Sequence, residues 1–558
     1  MMNRRDFLAT TGGAALGVAL HRTPSARAQE KQPRPNVVLV MTDDQGTGDM
    51  SCHGNPHLQT PSIDRLATEG VELTQFLVCP VCAPTRASLM TGRYNYRTGV
   101  VDTYLGRAMM YSEEVTLAEM LGAAGYRTGI FGKWHLGDNY PLRPQDQGFA
   151  ECLVHKGGGI GQPSDPPGNR YFDPVLQHNG SPQRVEGYCT DIFFDAAMDF
   201  IEANRQRPFF AYIATNAPHA PFQIAERYWK PYKQKGLDDR TAKVYGMVEN
   251  IDEGLGRLLA KLEELGLDQN TVVIFLTDNG PNGQRYNCGL RGHKGSVYEG
   301  GIRTCFFVRW PARLKAGRKL DALAAHIDVA PTLLDACQVP KPPEVAFDGT
   351  SLLPLLLGRQ AALPDRTIYV QWHRGDEPQP FRKAAARGPR YKLVHGNELY
   401  DLKADPGEKH NIAADHPDLV ERMRAGYQAW FQDVSATRGY APPRIHLGTP
   451  HENPTILTRQ DWRGPRAGWG RGSLGYWEVE VARPGTYAVR LRFHRLGSEA
   501  TAHFRLGEVE RRKAVAKGAS ETTFEQVELA AGEGRLEAWV SPGEKRLGVR
   551  YVDVRRLE

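Results

Sequence analysis

Two apolar runs in this chain end in the same way, in a pair of oxygen-bearing side chains. The first run ends in Asp43 and Asp44, and the second, much later in the chain, ends in Asp278 and Asn279. A continuous apolar run is typical of a parallel strand that is buried on both faces. Because the carboxyl ends of parallel strands meet at one edge of a sheet, the pattern predicts four oxygen ligands at that edge.

The pattern between these runs alternates between the spacing of strands and the spacing of helices. Apolar runs typical of strands cover 126–133 and 208–214, and helical spacing of apolar residues covers 117–125 and 244–265. Such alternation is typical of a doubly wound α/β sheet with helices on both faces. We therefore expect an α/β fold with its site at the carboxyl ends of the strands.

The C-terminal part of the chain changes to a period of two. The alternating runs are Trp477–Val481, Tyr487–Phe493, Ala502–Leu506, Phe524–Leu529 and Leu536–Val540. Short alternating runs separated by turns predict an all-β sandwich, preceded by a loop-like stretch to about residue 454. Its aromatic residues include Trp462, Trp469, Tyr476 and Trp477. They are compatible with a carbohydrate-binding module that stacks on sugar rings, but we favour a structural domain with aromatic residues in its core.

These patterns divide the chain into four segments. They are a targeting segment (1–28), an α/β domain (34–340), a smaller α+β C-terminal subdomain (341–440) and a β-sandwich-like accessory domain (441–558). In the first segment, Arg4 and Arg5 precede a mild apolar run, and Ala26-Arg27-Ala28 is typical of a cleavage site. This predicts a twin-arginine signal peptide rather than an anchor helix, and hence a bacterial protein that is periplasmic or secreted.

Composition agrees with an ordinary globular protein. The 558 residues are 41% hydrophobic and 24% charged, with a formal net charge of +6. A charge so small for this length does not indicate a nucleic-acid-binding protein. No apolar stretch after the N-terminus approaches the roughly 20 residues that span a bilayer, so we expect no membrane contact in the mature form.

The eight cysteines show no repeated zinc-binding spacing. Cys79 and Cys82 form a lone Cys-x-x-Cys pair, which leaves a redox or disulfide role open.

A second interpretation concerns Cys82 alone. Pro84 predicts the start of a helix, which would place Cys82 just before the free N–H groups that favour an anion. Arg86 follows about one turn later, so the stretch predicts a site for a tetrahedral oxyanion with a reactive side chain in it.

The adjacent carboxylates at the sheet edge indicate a cation. Like charges repel unless a positive charge lies beside them, and a hard divalent cation prefers oxygen ligands. The near-absence of thiolate and imidazole from this set argues against zinc. The alternative is a solvated turn at a strand end.

Several motifs together resemble one known family. Cys82-Ala-Pro-Thr-Arg86 followed by Ala-Ser-Leu-Met-Thr-Gly-Arg is similar to the signature of the formylglycine-dependent (type I) sulfatases, and Thr85 stands where many members have serine. Gly-Lys133-Trp-His135-Leu-Gly, Ala-Pro-His219-Ala-Pro and Gly-His-Lys294-Gly also match, in the family's order. The resemblance covers about residues 34–435, and within this family it is to the arylsulfatases.

The resemblance implies an alkaline-phosphatase-like core and a set of site residues. The implied metal ligands are Asp43, Asp44, Cys82, Asp278 and Asn279, and the implied catalytic residues are Cys82, Arg86, Lys133, His135, His219 and Lys294. The metal would be Ca²⁺, with Mg²⁺ as the alternative. Oxidation of Cys82 by a formylglycine-generating or radical maturation enzyme would produce an aldehyde, whose gem-diol attacks sulfur.

The implied mechanism gives each remaining residue a role. The positively charged arginine and lysine side chains of this set neutralise the sulfate oxygens. His219 or Lys294 protonates the leaving oxygen, and His135 takes a proton from the second hydroxyl so that sulfate leaves. The implied substrate is an aryl sulfate or a sulfated carbohydrate, small or polymeric, with specificity expected in loops at 155–179 and 373–381. Two rival functions stay open: a phosphonate monoester or phosphodiester hydrolase of the same fold, and a non-catalytic protein that binds sulfated glycans.

Overall fold

The computed structural model describes residues 34–558, and its largest element is an eleven-stranded mixed sheet. The strands are β1 (Asn36–Thr42), β2 (Val71–Leu77), β3 (Arg127–Lys133), β4 (Glu151–His155), β5 (Val175–His178), β6 (Ser181–Arg184), β7 (Phe209–Ala214), β8 (Thr271–Thr277), β9 (Arg303–Thr304), β10 (Phe306–Arg309) and β11 (Arg318–Ala325). Their order is β11-β2-β10-β8-β1-β7-β3-β4-β5-β6, with β9 beside β2. The central strands β8, β1, β7, β3 and β4 run parallel.

Helices cover both faces of this sheet. They are α1 (Pro61–Glu69), α2 (Cys82–Thr91), α3 (Leu117–Ala123), α4 (Cys189–Ala203), α5 (Glu226–Gln234), α6 (Asp239–Glu264), α7 (Glu299–Ile302), α8 (Val329–Ala336) and α9 (Leu353–Leu356). Successive side chains of β1 point to opposite faces. Leu39 packs in a core with α2, α3 and α8, whereas Val38 and Val40 pack in a core with α1, α4 and α6. This confirms the predicted doubly wound α/β sheet.

A smaller α+β unit follows in the chain. Its sheet is β12 (Ile368–Gln371), β13 (Ala384–Arg387), β14 (Tyr391–Val394) and β15 (Glu398–Asp401), antiparallel and in sequence order. Helix α10 (Pro417–Ala436) contributes Tyr427, Trp430 and Val434 to a core shared with Val370 and Leu393.

The C-terminal part forms the expected β-sandwich. Its strands are β16 (Ile445–Leu447), β17 (Thr455–Thr458), β18 (Tyr476–Val481), β19 (Gly485–Arg492), β20 (Ala500–Leu506), β21 (Val509–Val515), β22 (Glu521–Leu529), β23 (Gly532–Ser541), β24 (Leu547–Gly548) and β25 (Tyr551–Arg556). One sheet has the order β16-β18-β23-β20-β21 with β24 beside β23, and the other is β17-β25-β19-β22. The predicted loop up to residue 454 was wrong at β16, because a three-residue strand is too short to show alternation.

The tryptophans of the sandwich have two different environments. Trp462 and Trp477 are completely buried, and their ring centroids lie 5.7 Å apart in the core. Trp469 is instead 39% exposed. The same core takes in Leu105 and Met109 from the α/β part, and Pro35–Glu558 forms one compact unit. The sandwich is thus joined to the rest of the protein through its own core.

Two of the sequence expectations concern the N-terminus and the membrane. The predicted twin-arginine signal peptide lies outside the described residues, so this expectation stays a prediction. Within residues 34–558, no helix combines the length and the apolar character needed to cross a membrane.

Candidate active site

The two acidic strand ends meet as neighbours in the sheet. Strands β1 and β8 pair in parallel with Thr42 opposite Thr277, so the next residues of each strand come together. The side chains of Asp43, Asp44, Asp278 and Asn279 are all buried. The amide of Asn279 donates a 2.9 Å hydrogen bond to Asp44 Oδ1, and the backbone N–H of Asp44 donates to Asp278 Oδ1 at 3.2 Å. The structure therefore brings together the four residues that were predicted as oxygen ligands.

Each of the three carboxylates has one cationic partner. The pairs are Lys133 Nζ with Asp43 Oδ2 (2.5 Å), Lys294 Nζ with Asp44 Oδ1 (2.5 Å) and Arg86 Nη2 with Asp278 Oδ2 (2.6 Å). Lys133 and Arg86 are as deeply buried as their partners. Buried charges of one sign are tolerated only with compensation, so these cations have a structural reason to lie here, besides any role in catalysis.

The electrostatics of the carboxylates show how crowded the cluster is. Burial, and then the neighbouring charge of Asp43, raise the pKa of Asp278 to about 6 in spite of the Arg86 guanidinium. Burial also opposes ionisation of Asp44, but Lys294 and His219 hold the pKa of that carboxyl well below its usual value. Like-charge crowding of this kind is relieved by a cation between the carboxylates.

Two oxygen atoms of the cluster lack partners and favour such a cation. Asp43 Oδ1 and Asn279 Oδ1 are buried, and no hydrogen bond to either is present within residues 34–558. An orphaned buried acceptor is costly, and a hard divalent cation is the natural partner for carboxylate and amide oxygens. The residues therefore fit a divalent cation held by Asp43, Asp44, Asp278 and Asn279.

The nucleophile position lies against this cluster. Cys82 Sγ, a carboxylate oxygen of Asp43 and one of Asp278 lie within 4.8 Å of one another. Helix α2 begins at Cys82 itself, so the prediction that Cys82 lies just before the helix was wrong by one residue. Val81 is the extended N-cap residue, and Pro84 fits the third position because the first N–H groups of a helix need no helical acceptor.

The environment of the Cys82 thiol disfavours a thiolate. Burial raises the pKa of Cys82, and Lys133 and Lys294 oppose that shift only in part. The neighbouring thiol of Cys79 lies 3.3 Å from His326 Nε2. Within the described residues, Cys79 and Cys82 form no disulfide with each other.

Thr85 explains why the departure from the family's serine is tolerated. Its hydroxyl accepts a 3.0 Å hydrogen bond from the backbone N–H of Cys79. The same hydroxyl lies 3.3 Å from the carbonyl oxygens of Cys79 and Val81. A serine hydroxyl can make the same contacts, so the residue supports the turn before α2.

The end of β3 carries Lys133 into the site, and the loop that follows carries His135. Gly132 has a φ of 117°, and a Cβ there would lie 2.0 Å from the carbonyl oxygen of Ala214 on β7, so only glycine fits. His135 Nε2 lies 2.7 Å from the carbonyl oxygen of Thr103, which places the ring proton on Nε2. Burial, and then Lys133, lower the pKa of His135 well below its usual range. His135 is therefore neutral, with the free lone pair on its buried Nδ1.

His219 follows β7 and reaches the other side of the cluster. Its Nδ1 lies 2.5 Å from the carbonyl oxygen of Ala220, and its Nε2 lies 3.7 Å from Asp44 Oδ2. Burial lowers the pKa of His219 to about 4, although the charge of Asp44 opposes this shift. At neutral pH the ring is uncharged, with its proton on Nδ1.

Sequence reasoning missed two residues that hold the Asp44 turn. Asn282 Nδ2 donates to Asp44 Oδ2 at 3.0 Å. Arg285 donates to the carbonyl oxygen of Asp44 at 2.9 Å and pairs with buried Asp49 at 2.6 Å. Both follow closely after Asn279, but no spacing distinguishes them from ordinary loop residues.

A cavity of about 850 Å³ opens over Cys82, His135, His219 and Lys294. No carboxylate is among its lining residues, although four Lys or Arg side chains are. Its outer part includes Tyr104, Gln162, Arg240, Trp372, Arg374, Lys383 and Trp469. Gln162 and Arg374 belong to the two segments in which specificity was expected. Tyr104 and Trp372 were not predicted, and Trp469 was considered only as part of a separate carbohydrate-binding module, since the positions of all three in this cavity depend on long-range packing.

Fold and site together define a class of enzyme. A doubly wound α/β sheet carries a reactive position at a helix N-terminus, surrounded by buried cations and by oxygen ligands for a divalent cation. This arrangement fits nucleophilic attack on an ester of a tetrahedral oxyanion, because the developing negative charge is met by fixed positive groups.

The chain belongs to the sulfatase family, and it is a sulfuric ester hydrolase. A family model described as Sulfatase matches residues 35–339, and one described as N-sulphoglucosamine sulphohydrolase, C-terminal, matches residues 292–427. Members of this family hydrolyse sulfate esters, including those of sulfated carbohydrates.

Individual relatives agree with this assignment. Arylsulfatase A of Homo sapiens is 31% identical over 481 residues, which is 76% of this chain and 92% of that protein. N-acetylgalactosamine-6-O-sulfatase of Bacteroides thetaiotaomicron is 30% identical over 513 residues, covering 76% of this chain and 98% of that protein. A crystal structure of Ps i-CgsB in complex with k-i-k-neocarrahexaose aligns with a TM-score of 0.65 and 28% identity, over 71% of this chain and 92% of that one.

Proposed function

We propose that this enzyme removes sulfate from sulfated carbohydrates, with a formylglycine made from Cys82 as nucleophile and Ca²⁺ or Mg²⁺ at the carboxylate cluster. The observation that carries the proposal is the position of Cys82 Sγ, within 4.8 Å of carboxylate oxygens of both Asp43 and Asp278. Two kinds of finding favour a carbohydrate substrate: relatives named as N-acetylgalactosamine sulfatases, and a similar structure that contains an oligosaccharide.

The two cofactors would supply chemistry that the twenty side chains lack. The bound cation, held by Asp43, Asp44, Asp278 and Asn279, would act as a Lewis acid toward the nucleophile and the sulfate oxygens. The hydrated aldehyde at position 82 would offer one hydroxyl for attack on sulfur and a second whose deprotonation expels sulfate.

The cationic side chains of the protein bind and orient the sulfate group. Arg86, Lys133 and Lys294 each interact electrostatically with the side chain at position 82, and each is fixed by a carboxylate partner. Fixed donors stabilise the charge that develops on the non-bridging oxygens without reorganising during the reaction.

Proton transfer is divided between His135 and Lys294. The unprotonated Nδ1 of His135 accepts a proton from the second hydroxyl, because the hydrogen bond of Nε2 to Thr103 fixes that tautomer. Asp44 raises the pKa of Lys294 against the effect of burial, so its ammonium group holds a proton for the leaving oxygen. Neutral His219, with its proton on Nδ1, accepts a hydrogen bond at Nε2 from the leaving group once that oxygen has been protonated.

Export and maturation complete the proposal. The twin-arginine pattern at Arg4 and Arg5 favours export of the folded enzyme to the bacterial periplasm or beyond. Oxidation of Cys82 would then precede export, and the partner would be a formylglycine-generating or radical maturation enzyme.

The test is mass spectrometry of the enzyme co-expressed with a maturation enzyme. The tryptic peptide that ends at Arg86 contains both Cys79 and Cys82, so fragmentation provides an internal control. We expect a loss of about 18 Da at position 82, the difference between CH₂SH and CHO, with Cys79 unchanged. An unmodified thiol at position 82 in an enzyme that hydrolyses 4-nitrophenyl sulfate would contradict the formylglycine role.

A further inference from the structure

Trp469 belongs to the β-sandwich, yet its side chain lines the same cavity as Cys82. It is 39% exposed, one of the few large hydrophobic side chains in residues 34–558 with so much solvent contact. Its ring meets that of Tyr104 edge to face, with centroids 5.4 Å apart and an interplanar angle of 82°. Because the rings are nearly perpendicular, Tyr104 covers at most one face of the indole, and part of the indole remains available to the cavity.

The loop that carries Trp469 is fixed in place by Arg459. This arginine, 3% exposed, donates to the carbonyl oxygens of Trp469 (3.2 Å), Gly470 (2.5 Å) and Gly548 (2.7 Å). Its guanidinium also lies over the Trp462 ring, 4.9 Å from the centroid. The backbone that carries the Trp469 ring is therefore held by a buried residue of the sandwich, which favours a built binding surface over a solvated loop.

The β-sandwich also fixes the loop that carries Tyr104. Leu105 is part of the sandwich core, and the backbone N–H of Gly106 donates to the carbonyl oxygen of Gln460 at 2.9 Å. Gln460 Nε2 donates to the carbonyl oxygen of Thr103 at 3.0 Å, the same oxygen that accepts from His135. One domain thus supplies Trp469 and supports the neighbouring loop of the catalytic site.

The facing side of the cavity mouth is cationic and aromatic. The Arg374 guanidinium lies 4.4 Å from the Tyr104 centroid and 5.1 Å from that of Trp372. Lys383 Nζ lies 5.3 Å from the Trp372 centroid, and its exposed ammonium has no carboxylate partner among the described residues. Arg374 Nη1 pairs with the buried carboxylate of Asp102 at 2.7 Å, so the uncompensated charge at this part of the cavity is that of Lys383.

We propose that Trp469 and Tyr104 form a sugar-binding subsite of the active site, in which a pyranose ring of an acidic oligosaccharide stacks on Trp469. Arg374 and Lys383 bind a carboxylate or second sulfate on that ring or the next. Flat apolar sugar faces suit an exposed indole, and the cations select substrates that carry more than one negative charge. The inference rests on the proposed sulfatase function and makes the β-sandwich part of the active site.

The experiment compares Trp469→Ala with Trp539→Ala in the matured full-length enzyme. Trp539 is a matched control, since it is a partly exposed tryptophan of the same sandwich that stacks on His503 (4.7 Å) and lines no part of the cavity. Initial rates are measured on 4-nitrophenyl sulfate and on a panel of defined chondroitin, heparin and carrageenan di- and tetrasaccharides. The saccharide with the highest kcat/KM serves for the variants.

We expect Trp469→Ala to lower kcat/KM for that saccharide about 10-fold, mainly through KM, as loss of one stacked ring predicts. Trp469→Phe should recover most of the loss, and Trp539→Ala should stay within about twofold of the parent. Lys383→Gln should raise KM for the acidic saccharide and weaken its dependence on salt. Fluorescence titration of the Cys82→Ala enzyme with the same saccharide should show quenching that Trp469→Phe removes.

Three outcomes would overturn the subsite. The first is that Trp469→Ala and Trp539→Ala change kcat/KM equally. The second is that Trp469→Gln, with the melting temperature of the parent enzyme, leaves KM for the saccharide unchanged. The third is that the parent enzyme hydrolyses 4-nitrophenyl sulfate but none of the saccharides. The Gln variant guards against misfolding of the Ala variant. A matured enzyme with no activity on any sulfate ester would instead overturn the proposed function.

Discussion

Lys133 Nζ lies 2.5 Å from Asp43 Oδ2, and both side chains are fully buried. The Cys82 thiol is close to both: the charge of Lys133 lowers its pKa and that of Asp43 raises it. A buried ion pair is only marginally stabilising as a unit, whereas removal of one partner leaves an uncompensated charge. The pair therefore links the charge balance of the carboxylate cluster to the group that would bind sulfate.

Lys133→Ala should reduce kcat for 4-nitrophenyl sulfate by a factor on the order of 100 or more, because one fixed donor to the sulfate oxygens is lost. It should also lower the unfolding free energy by about 3 kcal/mol, since Asp43 loses its buried partner. Steady-state kinetics and thermal melts check both effects. Lys230→Ala, which removes an exposed ion pair with Glu226, is the control and should change neither. A fall in kcat of less than about threefold would make Lys133 a structural residue.

Cys82→Ser should abolish almost all turnover, because an ordinary hydroxyl can be sulfated but has no second hydroxyl to expel the sulfate. After incubation with substrate, intact-protein mass spectrometry should find a covalent adduct of about 80 Da on this variant. Cys79→Ala, in which a buried thiol beside His326 is removed, should keep the aldehyde at position 82. Normal turnover by Cys82→Ser would exclude the formylglycine mechanism.

Removal of the divalent cation should lower the melting temperature as well as activity. Asp43 Oδ1 and Asn279 Oδ1 are buried without hydrogen-bond partners, so the carboxylates would repel each other without the ion. At 100 times its dissociation constant, a cation stabilises the folded state by about 2.7 kcal/mol. Scanning fluorimetry of EDTA-treated enzyme against Ca²⁺ and Mg²⁺ measures this effect.

The matched pair of variants for the cation titration is Asn279→Ala and Asn397→Ala. The first removes a ligand oxygen and should shift the titration midpoint to higher concentration, whereas the second changes an exposed turn far from the cluster. Identical midpoints for both variants would remove Asn279 from the ligand set.

Thr85→Ser should be nearly neutral, whereas Thr85→Val should destabilise the turn before α2. The hydroxyl accepts from the backbone N–H of Cys79 and lies near two carbonyl oxygens, and valine would leave that N–H unsatisfied. An unsatisfied buried donor costs about 1–3 kcal/mol. Thermal melts and the yield of aldehyde at position 82 measure the outcome, and equal stability of the Ser and Val variants would contradict this account.

Asp165 should make stability fall as pH rises from about 4 to 7. Burial raises its pKa to about 7, above the unfolded value of about 3.9, so the folded state binds the proton more tightly across this range. That contribution is complete below the unfolded pKa and is lost as pH passes the folded pKa. Asp165→Asn should flatten the slope of melting temperature against pH, since one oxygen can still accept from Gly161 and Asn169.

The control for this pH dependence is Asp415→Asn, a substitution on an exposed carboxylate. It should keep the slope of the parent enzyme. Parallel slopes for the Asp165→Asn enzyme and the parent would show that burial of Asp165 does not couple to folding.

Local sequence determined the elements that place the site. Continuous apolar runs identified β1 and β8, and each strand is followed directly by its pair of oxygen-bearing side chains, so the residues at the strand ends were available from the chain alone. The motif that contains Lys133 and His135 has a local constraint of its own. The backbone at Gly132 approaches β7 so closely that only glycine fits, and this requirement is visible in the sequence as the glycine before Lys133.

Contacts between distant segments could not be predicted from the sequence. Trp462, Trp469 and Trp477 have the same chemical character, yet two are core residues and one lines the active-site cavity. The start of α2 at Cys82 was likewise missed, because proline is compatible with more than one position in the first turn.

The sequence by itself determined the α/β and β-sandwich classes, which follow from the period of the apolar residues, and it predicted the oxygen-bearing residues at the two strand ends. Lys133, Lys294 and the two histidines were predicted through the resemblance of their motifs to the sulfatase family, since no local pattern distinguishes them from loop residues. Only the tertiary structure decided which carboxylate each cation pairs with, which ring nitrogen of His135 is free, and that the β-sandwich reaches the cavity through Trp469. Those features depend on packing between segments hundreds of residues apart, where buried charges and hydrogen bonds are satisfied by partners that no local pattern specifies.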